Sequence, residues 1–318
     1  MDNVSVVTFF ILSGLNETND YKVTLFTFTL LYYCMILFLN ISIIIIIILD
    51  QNLHEPMYIL LCSCCINGLY GSTGFYPKFL LDLFSSSQQI SYEWCLLQAL
   101  VMNSFVCCEV SILAVMAYDR YLAICRPLHY QSVMTKRKVS QLICFSWFTP
   151  FCIFSINILL TSRLRLCGVN IDRLHCVNWV IVQLACYQSD TFSINVTAHF
   201  TMTIYFSHGL FIIWTYMHLI RTCAKSKDDR VKFMQTCVPH LVSLVMFIVA
   251  VLFDFMHARF GSKDLLQSLQ NFIAIEFLLI TPVMNPLVYG FKLTKIRNRI
   301  LGRVFFWKKR TVMEFNLK

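Results

Sequence analysis

The sequence predicts an all-α membrane protein, a seven-transmembrane helix bundle, and three observations lead to that prediction. Of the 318 residues, 58% are hydrophobic and only 14% are charged, whereas an average soluble domain has roughly 25% charged residues. The mean hydropathy is +0.65. Seven apolar windows are each long enough to cross the hydrocarbon core, which takes about 20 helical residues. They cover residues 23–49, 57–83, 96–125, 139–161, 193–220, 232–258 and 266–291.

The windows differ in regularity. The first contains the run IIIIII from Ile43 to Ile48, which leaves no polar face that could contact water. It lacks a charged leader and a cleavage site, so we expect it to be a membrane anchor that is retained and not a signal peptide that is removed. The second contains Pro77 and several glycines, and the sixth opens with Pro239. Membrane helices tolerate both features, so we expect these windows to be helical as well.

The basic residues predict the orientation. Segments after the third, fifth and seventh windows contain 19 of the 26 Lys and Arg, and the opposite side contains 7. The positive-inside rule then places the N-terminus outside the cell and the C-terminus in the cytoplasm. This divides the chain into an outer tail (1–22), a seven-helix bundle (23–291) and a cytoplasmic segment (292–318). The net charge of +9 fits attraction to anionic membrane lipid and needs no nucleic acid.

The cytoplasmic segment shows a helical pattern. Ile296, Ile300 and Val304 recur every four residues among Lys and Arg, which favours a short amphipathic helix lying in the membrane interface. A disordered basic tail is the alternative.

The predicted outer side contains features of an oxidising compartment. Four of the 15 cysteines fall there, an even number that permits three disulfide pairings: Cys95, Cys167, Cys176 and Cys186. The outer tail also contains two acceptor sequences for N-glycosylation, at Asn3 and Asn16.

Four motifs identify a family. They are LHEPMY at Leu53, MAYDRYLAICRPLHY at Met116, KFMQTCVPHL at Lys232 and PVMNPLVYG at Pro282. Together they resemble the signature motifs of odorant receptors, a branch of the rhodopsin-like (class A) G-protein-coupled receptors, although the third departs from the usual small-residue version. The resemblance covers nearly the whole chain, and the stretch NGLYGSTGFYPKFLLDLFS is similar to fish-type odorant receptors.

The resemblance implies an activation switch at the cytoplasmic end. Arg120 would be the pivot and Asp119 its lock, and the release of Arg120 would open a cavity for a G protein. Without the other motifs, the adjacent Asp119 and Arg120 would fit equally well with charged residues that only mark the membrane boundary. The family residues carried over to this switch are Asp119, Arg120, Tyr121, Tyr216, Asn285, Pro286 and Tyr289.

Glu109 is a further candidate for a functional residue. By helical rise it lies about 16 Å further into the membrane than Arg120. An ionisable group there is costly and is by default a candidate for function. The resemblance implies a sodium site shared with an aspartate of the second span. Gly68 occupies that position here, preceded by Asn67, so we expect a weakened sodium site. In the alternatives Glu109 is protonated, or hydrogen-bonded to Asn67 or Asn285. We expect no other cofactor.

The resemblance also implies an apolar ligand pocket among spans three, five, six and seven. Plain helix packing is the alternative for each expected lining residue: Met102, Asn103, Val106, Cys107, Phe200, Ile204, Val251, Phe255 and Ile275. Arg259 would bind an acidic ligand or, alternatively, lie in the interface or pair with Asp254 or Asp264. By resemblance, Cys95 pairs with Cys176, which leaves Cys167 for Cys186.

These observations predict a plasma-membrane receptor that is not an enzyme. It would bind a small odorant within the bundle and activate a stimulatory, olfactory-type G protein. The alternative is a small-solute transporter or channel with intramembrane acids as a relay, but we find none of the internal symmetry typical of transporters. Catalytic motifs such as HExxH and GxSxG are absent from the sequence.

Overall fold

A computed structural model describes residues 7–14, 21–85, 87–224, 238, 241–254 and 278–287. Long helices occupy the first five predicted windows, with ends a few residues from the predicted ones: α1 (Lys22–Leu49), α2 (Pro56–Asp82), α3 (Tyr92–Cys125), α5 (Lys136–Thr161) and α7 (Phe192–Cys223). Two shorter helices lie between them, α4 (Pro127–Val133) and α6 (Asn178–Gln183). Within the sixth and seventh windows lie α8 (Leu241–Asp254) and α9 (Leu278–Leu287).

Among the described residues, four helical segments are long and apolar enough to cross a membrane: α1, α3, α5 and Gln188–Cys223, which includes α7. The helix α2 has 27 residues, but its glycines, serines and Lys78 make it less apolar. On the outside of the bundle, Phe38, Phe148 and Phe206 are each 70% exposed. A helix that is hydrophobic on its outer face as well as its inner face is typical of a membrane span.

Local sequence determines where the helices begin. Proline occupies the first turn of α2 and of α4, where its missing N–H costs nothing. The side chain of Ser91 accepts a hydrogen bond from the Trp94 amide at the start of α3, and Thr135 accepts one from Lys138 at the start of α5. These are N-caps of the usual type.

The helix α3 lies at the centre of the bundle and packs against α2, α5 and α7. Phe105, Ile112 and Leu113 on α3 are fully buried. At Gly71 on α2, a Cβ atom would lie 2.5 Å from the Phe105 ring, so the close approach of α2 and α3 requires glycine there.

A small sheet covers one end of the bundle. Its strands are β1 (Phe9–Leu12), β2 (Gln89–Ser91) and β3 (Asn170–Ile171), in the order β2-β1-β3. β1 pairs antiparallel with β2, placing Phe10 opposite Ile90, and parallel with β3. We call this end the sheet end, and the opposite end of α3 the Asp119 end.

Two disulfides hold the segment 162–191, which we call the long loop. Cys95 at the start of α3 is bonded to Cys176, and Cys167 is bonded to Cys186 within the loop. These are the pairs that the family resemblance implied, and they anchor the long loop over the sheet end.

Candidate functional site

A cavity of about 280 Å³ lies below the long loop, between α3, α5, α6, α7 and α8. Five of the residues predicted from the family border it: Met102, Asn103, Val106, Cys107 and Val251. The structure adds residues that the sequence did not indicate, from α5, the long loop, α7 and α8: Phe154, Asn157, His175, Asn178, Val182, Thr201, Tyr205 and Asp254. Most of the wall is apolar, as expected of a small-molecule site.

Two predicted residues of α7 do not border this cavity. Phe200 lies on the outer side of α7 and is 62% exposed, and Ile204 is also absent from the wall. Thr201 and Tyr205, one position further along, face the cavity instead. The predicted rotation of α7 was therefore off by one residue. Phe255, Arg259 and Ile275 lie outside the described residues.

The cavity contains buried polar atoms on two separate elements. Asn157 on α5 is 3% exposed and His175 in the long loop is 1% exposed. Within the described part of the chain, Asn157 Oδ1 and His175 Nδ1 have no hydrogen-bond partner. Burial, together with nearby Arg173, lowers the pKa of His175 to about 3, so its ring is neutral at physiological pH.

An ion pair connects the long loop to α8. Arg173 Nη1 lies 2.8 Å from Asp254 Oδ1, and both side chains are largely buried. From the sequence, Asp254 was expected to pair with Arg259 or, in the transporter alternative, to be one of the relay acids. The actual partner was missed because Arg173 is 81 residues away in a loop whose path is not periodic.

A polar cluster lies at the middle of α3. Glu109 is fully buried, and both of its carboxyl oxygens accept amide hydrogens, from Asn67 Nδ2 at 2.8 Å and from Asn285 Nδ2 at 2.7 Å. Ser243 on α8 donates to Asn285 Oδ1. Four helices, α2, α3, α8 and α9, therefore meet at one carboxyl group.

This cluster does not match the donor set of the family sodium site. Both carboxyl oxygens of Glu109 accept N–H donors, which a cation would repel. Among the described residues, no group of three or more His, Cys, Asp or Glu is positioned to hold a metal.

At the Asp119 end, the side chains of Asp119 and Arg120 are bonded to each other. Arg120 Nε donates to Asp119 Oδ2 at 2.9 Å, and Asp119 is 1% exposed. Tyr130 on α4 donates to Asp119 Oδ1 at 2.8 Å. Tyr130 is the last residue of the DRY-containing motif quoted above, but only the fold of α4 shows that it reaches Asp119.

The other switch residues occupy different places. The Tyr121 ring contacts Trp214 and His218 on α7. Tyr216 on α7 and Pro286 on α9 are buried. Tyr289, both predicted glycosylation sites (Asn3 and Asn16) and the predicted amphipathic helix at 292–318 lie outside the described residues.

Comparisons with known proteins agree with this geometry. The sequence model of the family described as Olfactory receptor matches residues 28–308. The chain is 33% identical to Olfactory receptor 11H6 of Homo sapiens over 93% of this chain and 90% of that protein. It is 34% identical to Olfactory receptor 5M5 of Mus musculus, over 96% of this chain and 94% of that protein. The chain therefore belongs to the olfactory receptor family of G-protein-coupled receptors, which are multi-pass membrane proteins and not enzymes.

Proposed function

We propose that this protein is an odorant-activated receptor whose ligand binds in the cavity below the long loop. Binding would release Arg120 from Asp119 and open the Asp119 end to a stimulatory, olfactory-type heterotrimeric G protein. We further propose that the receptor acts at the plasma membrane, with the sheet end and the N-terminus extracellular.

The observation that supports this proposal most directly is the course of α3. Its 34 residues extend about 51 Å at 1.5 Å per residue. Along that length α3 borders the cavity at Met102 and Val106, contributes Glu109 to the central polar cluster, and ends near the Asp119–Arg120 pair. A ligand that displaces α3 relative to its neighbours would thus act on all three sites.

The ion pair between Arg173 and Asp254 supports a role for α8. Because this contact holds α8 to the long loop, a ligand between α3 and α8 would alter the position of α8 at the sheet end. Ser243, on the same helix, contacts the Glu109 cluster through Asn285. A ligand-dependent equilibrium between two arrangements of these helices is the mechanism we propose.

The transporter alternative is not favoured. It required a relay of intramembrane acids, but Glu109 accepts two amide hydrogen bonds and Asp254 is paired with Arg173. The family match also extends over most of the chain.

The proposal is tested by a cyclic-AMP reporter assay in cells that express the full chain and an olfactory-type G protein. We expect Arg120→Ala to abolish the odorant-evoked signal while surface expression is retained. Arg137→Ala is the matched control, since Arg137 is exposed at the same end, and we expect its signal to stay within about twofold of the unaltered receptor. A signal that survives Arg120→Ala unchanged would contradict the switch.

We also propose that the two amides replace the sodium ion expected from the family at Glu109. In support, each carboxyl oxygen of Glu109 already has an N–H donor. The unaltered receptor should therefore unfold at the same temperature in sodium chloride and in choline chloride. A large stabilisation by sodium would refute this proposal.

A further inference from the structure

Two of the buried polar atoms that border the cavity restrict the chemistry of its ligand. Asn157 donates its amide to the Ile153 carbonyl at 3.3 Å on its own helix. Its Oδ1 atom is buried without a partner among the described residues, and so is His175 Nδ1. A buried polar atom without a hydrogen bond is costly, and these two atoms border the same cavity from α5 and from the long loop.

We infer that the receptor selects an uncharged ligand with a hydroxyl group, an alcohol or a phenol, whose O–H donates to Asn157 Oδ1. This inference rests on the proposed function and adds the chemical class of the odorant. An amide oxygen only accepts hydrogen bonds, so the ligand must supply the donor.

His175 is compatible with the same ligand. In the tautomer that has its hydrogen on Nδ1, the neutral imidazole donates to the hydroxyl oxygen, while the hydroxyl hydrogen is donated to Asn157 Oδ1. An ether, aldehyde or ketone has acceptors only, and it would leave Asn157 Oδ1 without a partner. The hydroxyl is therefore the simplest group that satisfies both atoms.

Charged ligands fit the cavity poorly. Asp254 borders it, and the guanidinium of Arg173 is already bound to that carboxylate. A carboxylate ligand would lie near Asp254, and among the described residues no Lys or Arg borders the cavity to compensate. An ammonium ligand would have to compete with Arg173 for the Asp254 carboxylate.

The volume limits the size of the ligand. The cavity of about 280 Å³ has room for on the order of ten non-hydrogen atoms, at roughly 30 Å³ for each water-sized group. The apolar wall, which includes Val106, Phe154 and Val182, would contact the carbon skeleton. An eight-carbon alcohol or an alkylphenol meets both requirements.

A matched ligand series on the unaltered receptor tests the inference. The compounds are octan-1-ol, octanal, heptyl methyl ether, octanoic acid and octan-1-amine, with 4-ethylphenol and 4-ethylanisole as an aromatic pair. We expect octan-1-ol and 4-ethylphenol to act at concentrations at least about tenfold lower than the analogues without the donor, because those leave a buried acceptor unsatisfied. Equal potency of alcohol and ether, or a preference for the acid or the amine, would overturn the inference.

Two readouts separate this inference from the proposed function. The cyclic-AMP signal requires coupling to the G protein, whereas thermal stabilisation of the purified full chain reports binding alone. Stabilisation by octan-1-ol but not by the ether, without a cyclic-AMP signal, would support the ligand class and contradict the coupling. Responses to other odorants but to none of the series would overturn only the ligand class. No response to any odorant, by either readout, from a receptor present at the cell surface would refute both.

A pair of variants identifies the acceptor. Asn157→Leu keeps the size of the side chain but removes the oxygen, and we expect it to reduce the preference for alcohol over ether to less than about threefold. Asn170→Leu is the matched control on β3, where the side chain is exposed, and it should keep the full preference. If Asn157→Leu does not reach the cell surface, Asn157→Ala, which also removes the oxygen and needs less space, should reduce the same preference, and an unchanged ratio in either expressed variant would contradict the inference.

Discussion

At the scale of single residues, Gly68 is the position where this chain departs most clearly from the family pattern. The odorant-receptor resemblance places an aspartate there, and a Cβ at this position would meet Asn40 Oδ1 and the Pro282 Cα at 3.4 Å. A short side chain therefore needs only small adjustments of its neighbours.

Gly68→Asp should create a sodium dependence that the unaltered receptor lacks. A second carboxylate near Glu109 would supply the missing negative charge. At about 150 mM sodium, a site with a dissociation constant near 15 mM would stabilise the fold by about 1.4 kcal/mol, or roughly 3 °C. The measurement is thermal unfolding in sodium chloride and in choline chloride.

Gly68→Asn is the matched control, since it has the same shape without the charge. It should unfold at the same temperature in both salts. If sodium stabilises Gly68→Asn, or does not stabilise Gly68→Asp, then the missing negative charge is not the reason why the unaltered receptor lacks a sodium dependence.

Tyr130 provides a second prediction at this scale. Burial and the neighbouring Asp119 carboxylate raise the pKa of Tyr130, so its hydroxyl remains protonated and donates to Asp119 at 2.8 Å. Tyr130→Phe removes this bond and frees Asp119 and Arg120 to separate more often. We expect ligand-free cyclic-AMP production to rise about two- to fivefold per receptor at the surface, which corresponds to about 0.4–1 kcal/mol, close to the net contribution of one hydrogen bond.

The control for Tyr130 is Tyr187→Phe, because Tyr187 is 60% exposed at the sheet end. Its ligand-free production should equal that of the unaltered receptor. An unchanged basal signal in Tyr130→Phe would show that the bond does not restrain the switch.

The residue scale is also where prediction from the sequence was least complete. Met102 and Val106 on α3, which the resemblance implied as pocket residues, border the cavity. On α7, apolar residues surround the helix, and nothing in the pattern separated Phe200 from Thr201. The roles of Asn157 and His175 depend on which atoms remain without partners, which only the folded chain shows.

At the scale of elements, β1 is the part that connects the tail, the long loop and α3. Gly14, just after β1, is buried against the long loop: a Cβ there would lie 2.8 Å from Leu174 Cδ2 and 2.9 Å from the Arg173 carbonyl carbon. Backbone atoms at that distance cannot be avoided by rotating a side chain.

Gly14→Ala should therefore displace the long loop and destabilise the receptor by about 1–3 kcal/mol, the usual cost of overpacking. Because Arg173 and His175 belong to the displaced segment, ligand affinity should fall as well. The measurement is thermal unfolding of the purified receptor, with the odorant response read in parallel.

Gly209→Ala is a stringent control. Gly209 lies in the middle of α7, and nothing lies within 4 Å of a Cβ placed there. Alanine should stabilise the helix by about 0.5–1 kcal/mol. A Gly14 variant as stable as the Gly209 variant would contradict the close contact.

Long elements were predictable and short ones were not. An apolar window of about 20 residues has few alternatives to a membrane helix, so α1, α2, α3, α5 and α7 begin and end close to their predicted limits. The strands contain two to four residues each, too few for any periodicity, and their pairing joins segments far apart in the chain. The short helices α4 and α6 were missed for the same reason.

At the scale of the whole molecule, the distribution of charge predicts the orientation. The side proposed as cytoplasmic contains 19 of the 26 Lys and Arg, and the two disulfides lie at the other end. Both observations favour an extracellular sheet end.

An epitope tag at the N-terminus should therefore bind antibody in intact cells, and a tag at the C-terminus only after permeabilisation. Fluorescence of labelled cells measures both. The reverse labelling pattern would contradict the orientation and, with it, the proposed direction of signalling.

The finer resemblance to fish-type receptors stays a prediction.

The central position of β1 has a consequence for biosynthesis. β1 is made before both of its partners, since β2 and β3 follow about 80 and 160 residues later along the chain. One edge of β1 therefore stays unpaired while about 80 further residues are made, and its other edge while about 160 are made. We predict that a glycosyltransferase reaches the acceptor sequences of Asn3 and Asn16 before both partner strands have been made.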